Sequence, residues 1–408
     1  MPKDKYSYFV NIMLFLFVLF VNINNTVADL ALLSLSIAGV YILKKNNINP
    51  FKDNNLRTVL LITTGYYFIN LVVFFVNGTY FAKYLQTDIY FLLAVFIAAG
   101  IFYARINMNL FFTGIRLALL FLGVCQYFSL EFWQEGYSNF SNIYLSIFAP
   151  VTVLMMFLSI ISYDKDNLMN KLLGLIAFIS GVTLTAGSLV RLSWVIFIIL
   201  TIVVTFIILK KVVISKLSFL TSFVLLGVFI YFISVDNEKY YVRITDTFNQ
   251  ISSWNDDRNL DTPVGVRLEM YSAGLEAFKE KPFFGHGYLN GPKEASKYAD
   301  PRLRDRINNF VQLHSEYITT MVEKGFFGLL SLGILLFSPT LTIVRNYSKD
   351  NIYIRIGVIS SISFVLFGLL NVSFGDTTIK AFYVILICLF LPKLYEREVL
   401  QSYVKKKL

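Results

Sequence analysis

Apolar runs of about 18 to 22 residues recur along this chain, each long enough to cross a hydrocarbon layer of roughly 30 Å as an α-helix. They fall near 8–24, 27–43, 58–77, 89–104, 109–128, 143–162, 170–190, 192–209, 217–234, 325–344, 353–373 and 377–393. Hydrophobic residues make up 56% of the chain and charged ones 15%, with 40 phenylalanines and a mean hydropathy of +0.63. No soluble globule needs that much apolar surface. The chain is therefore expected to be an all-α, polytopic integral membrane protein of about twelve transmembrane helices. Lys3 and Lys5 precede the first run, but no small-residue cleavage site follows it and a second apolar run begins at once. That pattern reads as a retained helix, not a signal peptide.

The formal charge of +10 does not point to nucleic acid, because the cations gather in short loops between apolar runs instead of forming one stripe. They crowd the amino terminus, alternate loops and the carboxyl terminus, as at Lys44, Lys45, Lys210, Lys211, Lys405, Lys406 and Lys407. The short loops opposite carry Lys83, Arg191 and Lys380. Such a bias predicts that both termini lie in the cytoplasm. Arg116, inside an apolar run, reads as a cation snorkelling from a helix end. Cys125 and Cys388 sit in separate apolar runs with no CxxC and no Cys/His cluster, so neither a disulfide framework nor a zinc site is expected.

One polar stretch, residues 235–324, is large enough to form a subdomain outside the membrane. It lies between nine spans in 1–234 and three spans plus a cytoplasmic tail in 325–408. Both histidines of the chain, His286 and His314, fall within it. A side chain that titrates near neutrality has thus been confined to one place, which marks that place for chemistry. Charge alternation puts the segment on the outer side, where no ATP is available. A reaction there needs an activated substrate delivered through the membrane.

Within this stretch, GVRLEMYSAGLEAFKEKPFFGHG is followed by LHSEYITTMVEKGFFGLL. An Arg-led helix at Arg267 precedes Pro282 and a turn at Gly285 and Gly287; His314 then opens a helix that meets the membrane at Gly325 and Gly328. This ordered pattern resembles the O-antigen ligase family, within the O-antigen ligase and polymerase superfamily of GT-C-like membrane glycosyltransferases. The span count and the late outer loop extend the resemblance across most of the chain. It implies a bacterial inner-membrane enzyme of lipopolysaccharide biosynthesis with its active site facing the periplasm. The donor would be a glycan, O-antigen or a related oligosaccharide, on undecaprenyl diphosphate, and the acceptor a hydroxyl of the lipid A core. The family's functional positions fall on Arg267, on His314 and, in TAGSLVRLSWV, on Arg191. Val190 stands where the family has Ser or Thr directly before that arginine. Arg243 in RITDTFNQI and Asp376 in SFGDTTIK match further positions and are candidates for substrate binding.

Elementary chemistry selects the same trio. Transfer from a lipid diphosphate builds negative charge on the leaving oxygen, and a guanidinium is a permanently charged planar fork matched to phosphate. Arg191 and Arg267 suit that task. A sugar hydroxyl is a poor nucleophile, and a base that takes its proton during attack helps by roughly 100- to 10,000-fold. A neutral imidazole at His314 suits that one. Asp256 and Asp257 form a lone acidic pair without further carboxylates or His spacing, so no cofactor and no metal are expected in an inverting, in-line reaction.

Each residue also has a structural reading. His314 could pack at a helix start, His286 could belong to a turn between its glycines, and Arg191 could anchor a helix at the headgroups. Asp376 could cap the last helix, since Gly-Asp-Thr-Thr before an apolar run is a start signal. Arg302, Arg304 and Arg306 either guide an anionic substrate or form a solvated face. The acceptor is not encoded in the motif, so a polymerase or a protein O-oligosaccharyltransferase with the same donor stays open. A flippase or other transporter of lipid-linked oligosaccharide stays open on span number alone.

Overall fold

The computed structural model describes residues 3–78, 81–128, 142–162, 166–188, 190–209, 245–246, 248–254, 259–345 and 351–407, and among these the chain is helical with no strand. Eight helices precede the polar stretch: α1 (Lys3–Phe20), α2 (Asn25–Lys45), α3 (Asn54–Asn77), α4 (Phe81–Phe102), α5 (Met108–Tyr127), α6 (Asn142–Ile160), α7 (Leu168–Gly187) and α8 (Arg191–Leu209). The polar stretch contributes α9 (Pro263–Glu280) and two short helices, α10 (Gly291–Ser296) and α11 (Arg304–Asn308). The chain closes with α12 (Glu316–Arg345), α13 (Ile352–Leu370), a 3-10 turn at Ser373–Gly375 and α14 (Thr377–Lys407). Every expected span falls on one of these helices except that near 217–234, which lies outside the described residues.

Seven helices, α2, α3, α5, α7, α12, α13 and α14, are long and apolar enough to cross a membrane, and shorter apolar stretches lie in α1, α4, α6 and α8. The protein is a multi-pass membrane protein. Its polar loops stop and restart helices by side-chain capping. Asn24, Asp53, Asn107, Asn167 and Asn351 each accept a hydrogen bond from a backbone N–H of the helix that follows. Each cap satisfies an amide that has no partner inside its helix, worth about 1 kcal/mol.

The last helix is the bundle's axle. In its apolar window Thr377–Leu394, 89% of residues are buried, whereas the windows of the other spanning helices are 39% to 61% buried. A helix apolar on every side fits where protein surrounds it. It packs on α3, α4, α12 and α13. Elsewhere the bundle closes by small residues: a Cβ on Gly39 would fall 1.7 Å from the carbonyl oxygen of Phe96, so α2 and α4 approach backbone to backbone.

Two charged groups differ from their reading in sequence. Arg116 does not snorkel. Its side chain is fully buried and donates to Asp166 at 2.5 Å, to the Ser159 carbonyl at 2.9 Å and to the Ser162 hydroxyl at 3.0 Å. A carboxylate fifty residues along the chain makes the interior site tolerable, which local sequence does not reveal. Lys380, counted above as a loop cation, is buried and paired with Asp88 of α4 at 2.7 Å.

Candidate active site

The part of the polar stretch that is described has its own core, separate from that of the bundle. Val266, Met270, Ala273 and Ala277 recur at helical spacing on α9 and pack against Ala295, Ala299, Leu303, Ile307, Leu313 and Val322. Thr262 starts α9 by accepting from the Gly265 amide at 3.0 Å, and Pro263 occupies the first turn, where its missing N–H costs nothing. Glu269, on the buried face, accepts from the Asp300 amide at 2.9 Å and so ties α9 to the loop before α11. Arg267 lies on the opposite, exposed face.

The motif glycines form a clasp between the turn after α9 and a kink in α12. Gly285 and Gly325 both have left-handed backbones, φ +66° and +65°. A Cβ on Gly285 would fall 2.4 Å from the carbonyl carbon of Glu323, and one on Gly325 equally close to that of Phe283. Four backbone hydrogen bonds close the clasp: the His286 and Gly287 amides donate to the Val322 and Glu323 carbonyls, and the Phe326 and Phe327 amides to those of Pro282 and Phe283. Only glycine satisfies both the sign of φ and the contact distance. The spacing seen in sequence is thus a device that seats α9 on the membrane end of α12.

His314 lies two residues before the start of α12 and is held from several sides. Its backbone is left-handed, φ 54°, a conformation that costs a non-glycine residue on the order of 1–3 kcal/mol and persists only where surroundings impose it. Here the Tyr271 hydroxyl of α9 donates to the His314 carbonyl at 3.0 Å. The next residues are pinned to the end of α13: the Ser315 hydroxyl donates to the Gly368 carbonyl at 3.3 Å and the Glu316 amide to that of Asn371 at 3.1 Å. Phe310 meets the imidazole edge to face, centroids 5.3 Å apart. Among the described residues, neither ring nitrogen of His314 is engaged in a hydrogen bond.

Arg267 and His314 share one electrostatic environment. Burial, and after it the Arg267 charge, hold the His314 imidazole below its ordinary pKa of 6.5, so it is neutral at pH 7. The same guanidinium opposes the upward push that burial gives the Tyr271 phenol. A neutral imidazole with unengaged nitrogens beside a fixed cation can take a proton while the cation steadies an anion. Tyr271 was expected only as a neighbour of Arg267, one helical turn away; its bond to His314, and the contact of Phe310, were not foreseen from sequence.

The other candidates stand differently. Arg191 opens α8 just after the end of α7, a junction fixed by the Trp194 indole donating to the Thr185 carbonyl at 3.2 Å. Nothing is described of its side chain. Helix α8 packs on α13, the helix whose end holds the His314 segment. Asp376 caps α14, its Oδ1 accepting from the Thr378 and Ile379 amides at 2.8 and 3.1 Å. It sits just past the 3-10 turn, where the buried Glu316 carboxylate accepts from the Phe374 amide at 2.8 Å. Arg302 is exposed and paired with Asp300 at 3.0 Å; Arg304 donates to the Ala299 carbonyl, and it and Arg306 are exposed. Arg243, Asp256 and Asp257 lie outside the described residues.

Comparison with known proteins follows the same segment. Over 230 residues the chain is 24% identical to an uncharacterized protein of Haemophilus influenzae, and the aligned region covers 55% of each protein. The chain thus spans about half the length of that relative. The sequence model of the O-antigen ligase family matches residues 175–333, which include Arg191, α9, both glycines of the clasp and His314. That matched segment runs from α7 into α12, and over it the chain is similar to the O-antigen ligase family.

Proposed function

We propose that this protein transfers an O-antigen or related glycan from undecaprenyl diphosphate to a sugar hydroxyl of the lipid A core. The observation that supports the reading is the docking of α9, which carries Arg267, against the His314 segment, where the Tyr271 hydroxyl one turn beyond Arg267 donates to the His314 carbonyl at 3.0 Å. The acceptor hydroxyl gives its proton to a ring nitrogen of His314 as its oxygen attacks the anomeric carbon. The bond from that carbon to the diphosphate oxygen breaks on the opposite face, so configuration inverts. Arg267 and Arg191 take up the charge growing on the leaving diphosphate, each fork binding two oxygens. No step calls for a metal ion.

The remaining candidates take lesser parts. Asp376 has its Oδ1 committed to two amides, so it acts by holding the start of α14 beside the His314 segment. Arg304 and Arg306 form an exposed cationic strip suited to lipid phosphates, with Arg302 already balanced by Asp300. Arg243 is kept as a donor-binding residue. We place this site in the periplasm, with both termini in the cytoplasm and the protein in the inner membrane.

A purified-protein assay tests the reading. Lipid diphosphate glycan is offered separately with lipid A core, with lipid-linked glycan and with a hydroxyl-bearing peptide, and Mg²⁺ is omitted. Product on lipid A core alone is expected, with His314→Ala and Arg267→Ala each slower by about 100-fold or more. Product on lipid-linked glycan would make the protein a polymerase, product on peptide a protein glycosyltransferase, and no product with any acceptor a transporter. Wild-type rates in both variants would overturn the assigned roles.

A further inference from the structure

The second histidine has a different surrounding from the first, and it is not electrostatically neutral space. His286 is buried, and its Nε2 lies 2.8 Å from the carbonyl oxygen of Ala277 in the last turn of α9. A carbonyl only accepts, so Nε2 carries a proton and donates. The other nitrogen, Nδ1, faces the Glu294 carboxylate, 3.4 Å from Oε2. The Glu280 carboxylate also approaches the ring, with Oε2 4.0 Å from Nε2. One ligand atom from each of the three residues lies within 4.8 Å of the other two.

We propose that Glu280, His286 and Glu294 bind one divalent transition-metal ion of the zinc class, which clamps the end of α9 to α10. The separation of Nδ1 and Oε2 is the main argument. A charge-assisted hydrogen bond between an imidazolium and a carboxylate closes to about 2.7–2.9 Å. Two atoms bound to one tetrahedral zinc ion at about 2.0–2.1 Å stand roughly 3.4 Å apart. With the ring proton on Nε2, the Nδ1 lone pair faces Glu294 Oε2 at 3.4 Å, a separation that a shared ion would span. Ligand chemistry agrees: an imidazole nitrogen favours zinc-like ions over Ca²⁺ or Mg²⁺, and two carboxylates balance a dication. The Nε2–H bond to the Ala277 carbonyl is the outer-shell contact that fixes the tautomer of a metal-bound histidine. Lys297 pairs with Glu294 at 2.5 Å, but its side chain is 55% exposed and swings into water when an ion takes its place.

The site is distinct from the reaction centre. Ala277 is ten residues along α9 from Arg267, about 15 Å at the helical rise. An ion here would brace the turn that carries Gly285 and Gly287 and so act on folding, not on bond exchange. The inference does not depend on the proposed reaction, and its test reads metal binding directly.

Full-length protein in detergent is stripped with chelator and titrated with Zn²⁺ by calorimetry, and its thermal unfolding is followed with and without Zn²⁺. One equivalent is expected to bind and to raise the unfolding midpoint. Glu280→Gln, at a half-exposed position that leaves the fold intact, should weaken binding by about tenfold, and Glu280→Gln with Glu294→Gln should abolish it. His314→Ala should bind as the parent does. Absence of a Zn²⁺ heat in the parent, or equal affinity in the double variant, would overturn the site.

Discussion

At the scale of single residues, the proposed mechanism needs His314 neutral, and this fixes the sign of its pH dependence. Burial first, and the Arg267 charge second, lower its pKa from 6.5. Activity should therefore persist below pH 6.5 and fall as pH drops through that lowered value. Arg267→Ala removes one of the two causes, so the acid limb of its residual activity should move to higher pH. Arg267→Lys keeps the charge and loses the planar fork: the limb should stay in place while the rate falls by about tenfold or more. A rate profile of the three proteins against pH checks both statements, and an unmoved limb in Arg267→Ala would show that the coupling is absent. An ordered motif in the sequence names both members of this pair. The contacts of Tyr271 and Phe310 with the histidine were not legible there, since many aromatic side chains in this chain have equal claim until α9 is docked. Arg116 shows the same limit from the other side. One cation in an apolar run reads alike whether it snorkels or meets Asp166, and only the meeting of α5 with the end of α6 distinguishes them.

At the scale of elements, the clasp between Gly285 and Gly325 decides where α9 sits. Both glycines stood out in sequence as parts of a turn and of a membrane boundary. Their pairing did not, because forty residues separate them and backbone hydrogen bonds leave no compositional trace. The helix beyond them starts earlier than apolarity alone implies. The expected span begins near 325, whereas α12 begins at Glu316, with Gly325 as an internal kink. Polar residues on that first segment face protein, not lipid: Glu316 reaches the Phe374 amide, and Thr319 is buried beside the Leu313 amide. Gly325→Ala should be far more harmful than the same change at Gly333, where a Cβ would meet nothing within 4 Å. Strain at φ +65° and a clash with the Phe283 carbonyl together cost on the order of 3 kcal/mol or more, whereas Gly333→Ala in a helix interior should gain up to about 1 kcal/mol. Thermal unfolding of the two variants in detergent makes the comparison. Similar midpoints would mean that the clasp does not hold the fold.

At the scale of the whole molecule, α14 packs against helices from the first half of the chain, and a buried cation on it shows how. Lys380 lies at the start of the most buried helix and its amine pairs with Asp88 of α4, 292 residues earlier, in a setting where both side chains are nearly inaccessible. The two charges are placed at corresponding ends of their apolar runs, so their approach follows from topology once α4 and α14 pack together. Their burial is what sequence could not state, because an outer-loop cation and an interior one look the same in a charge count. A buried pair of this kind adds little net stability over an apolar pair of the same shape, but breaking it strands a charge. Lys380→Met alone should therefore destabilise the bundle by about 3–5 kcal/mol, and Asp88→Asn alone by a similar amount. The double variant should recover most of that loss, since no ion is left without its partner. A cycle of the four proteins, followed by thermal unfolding in detergent, measures the coupling. Additive losses would mean that the two side chains act independently and that the link between α4 and α14 rests on its other contacts.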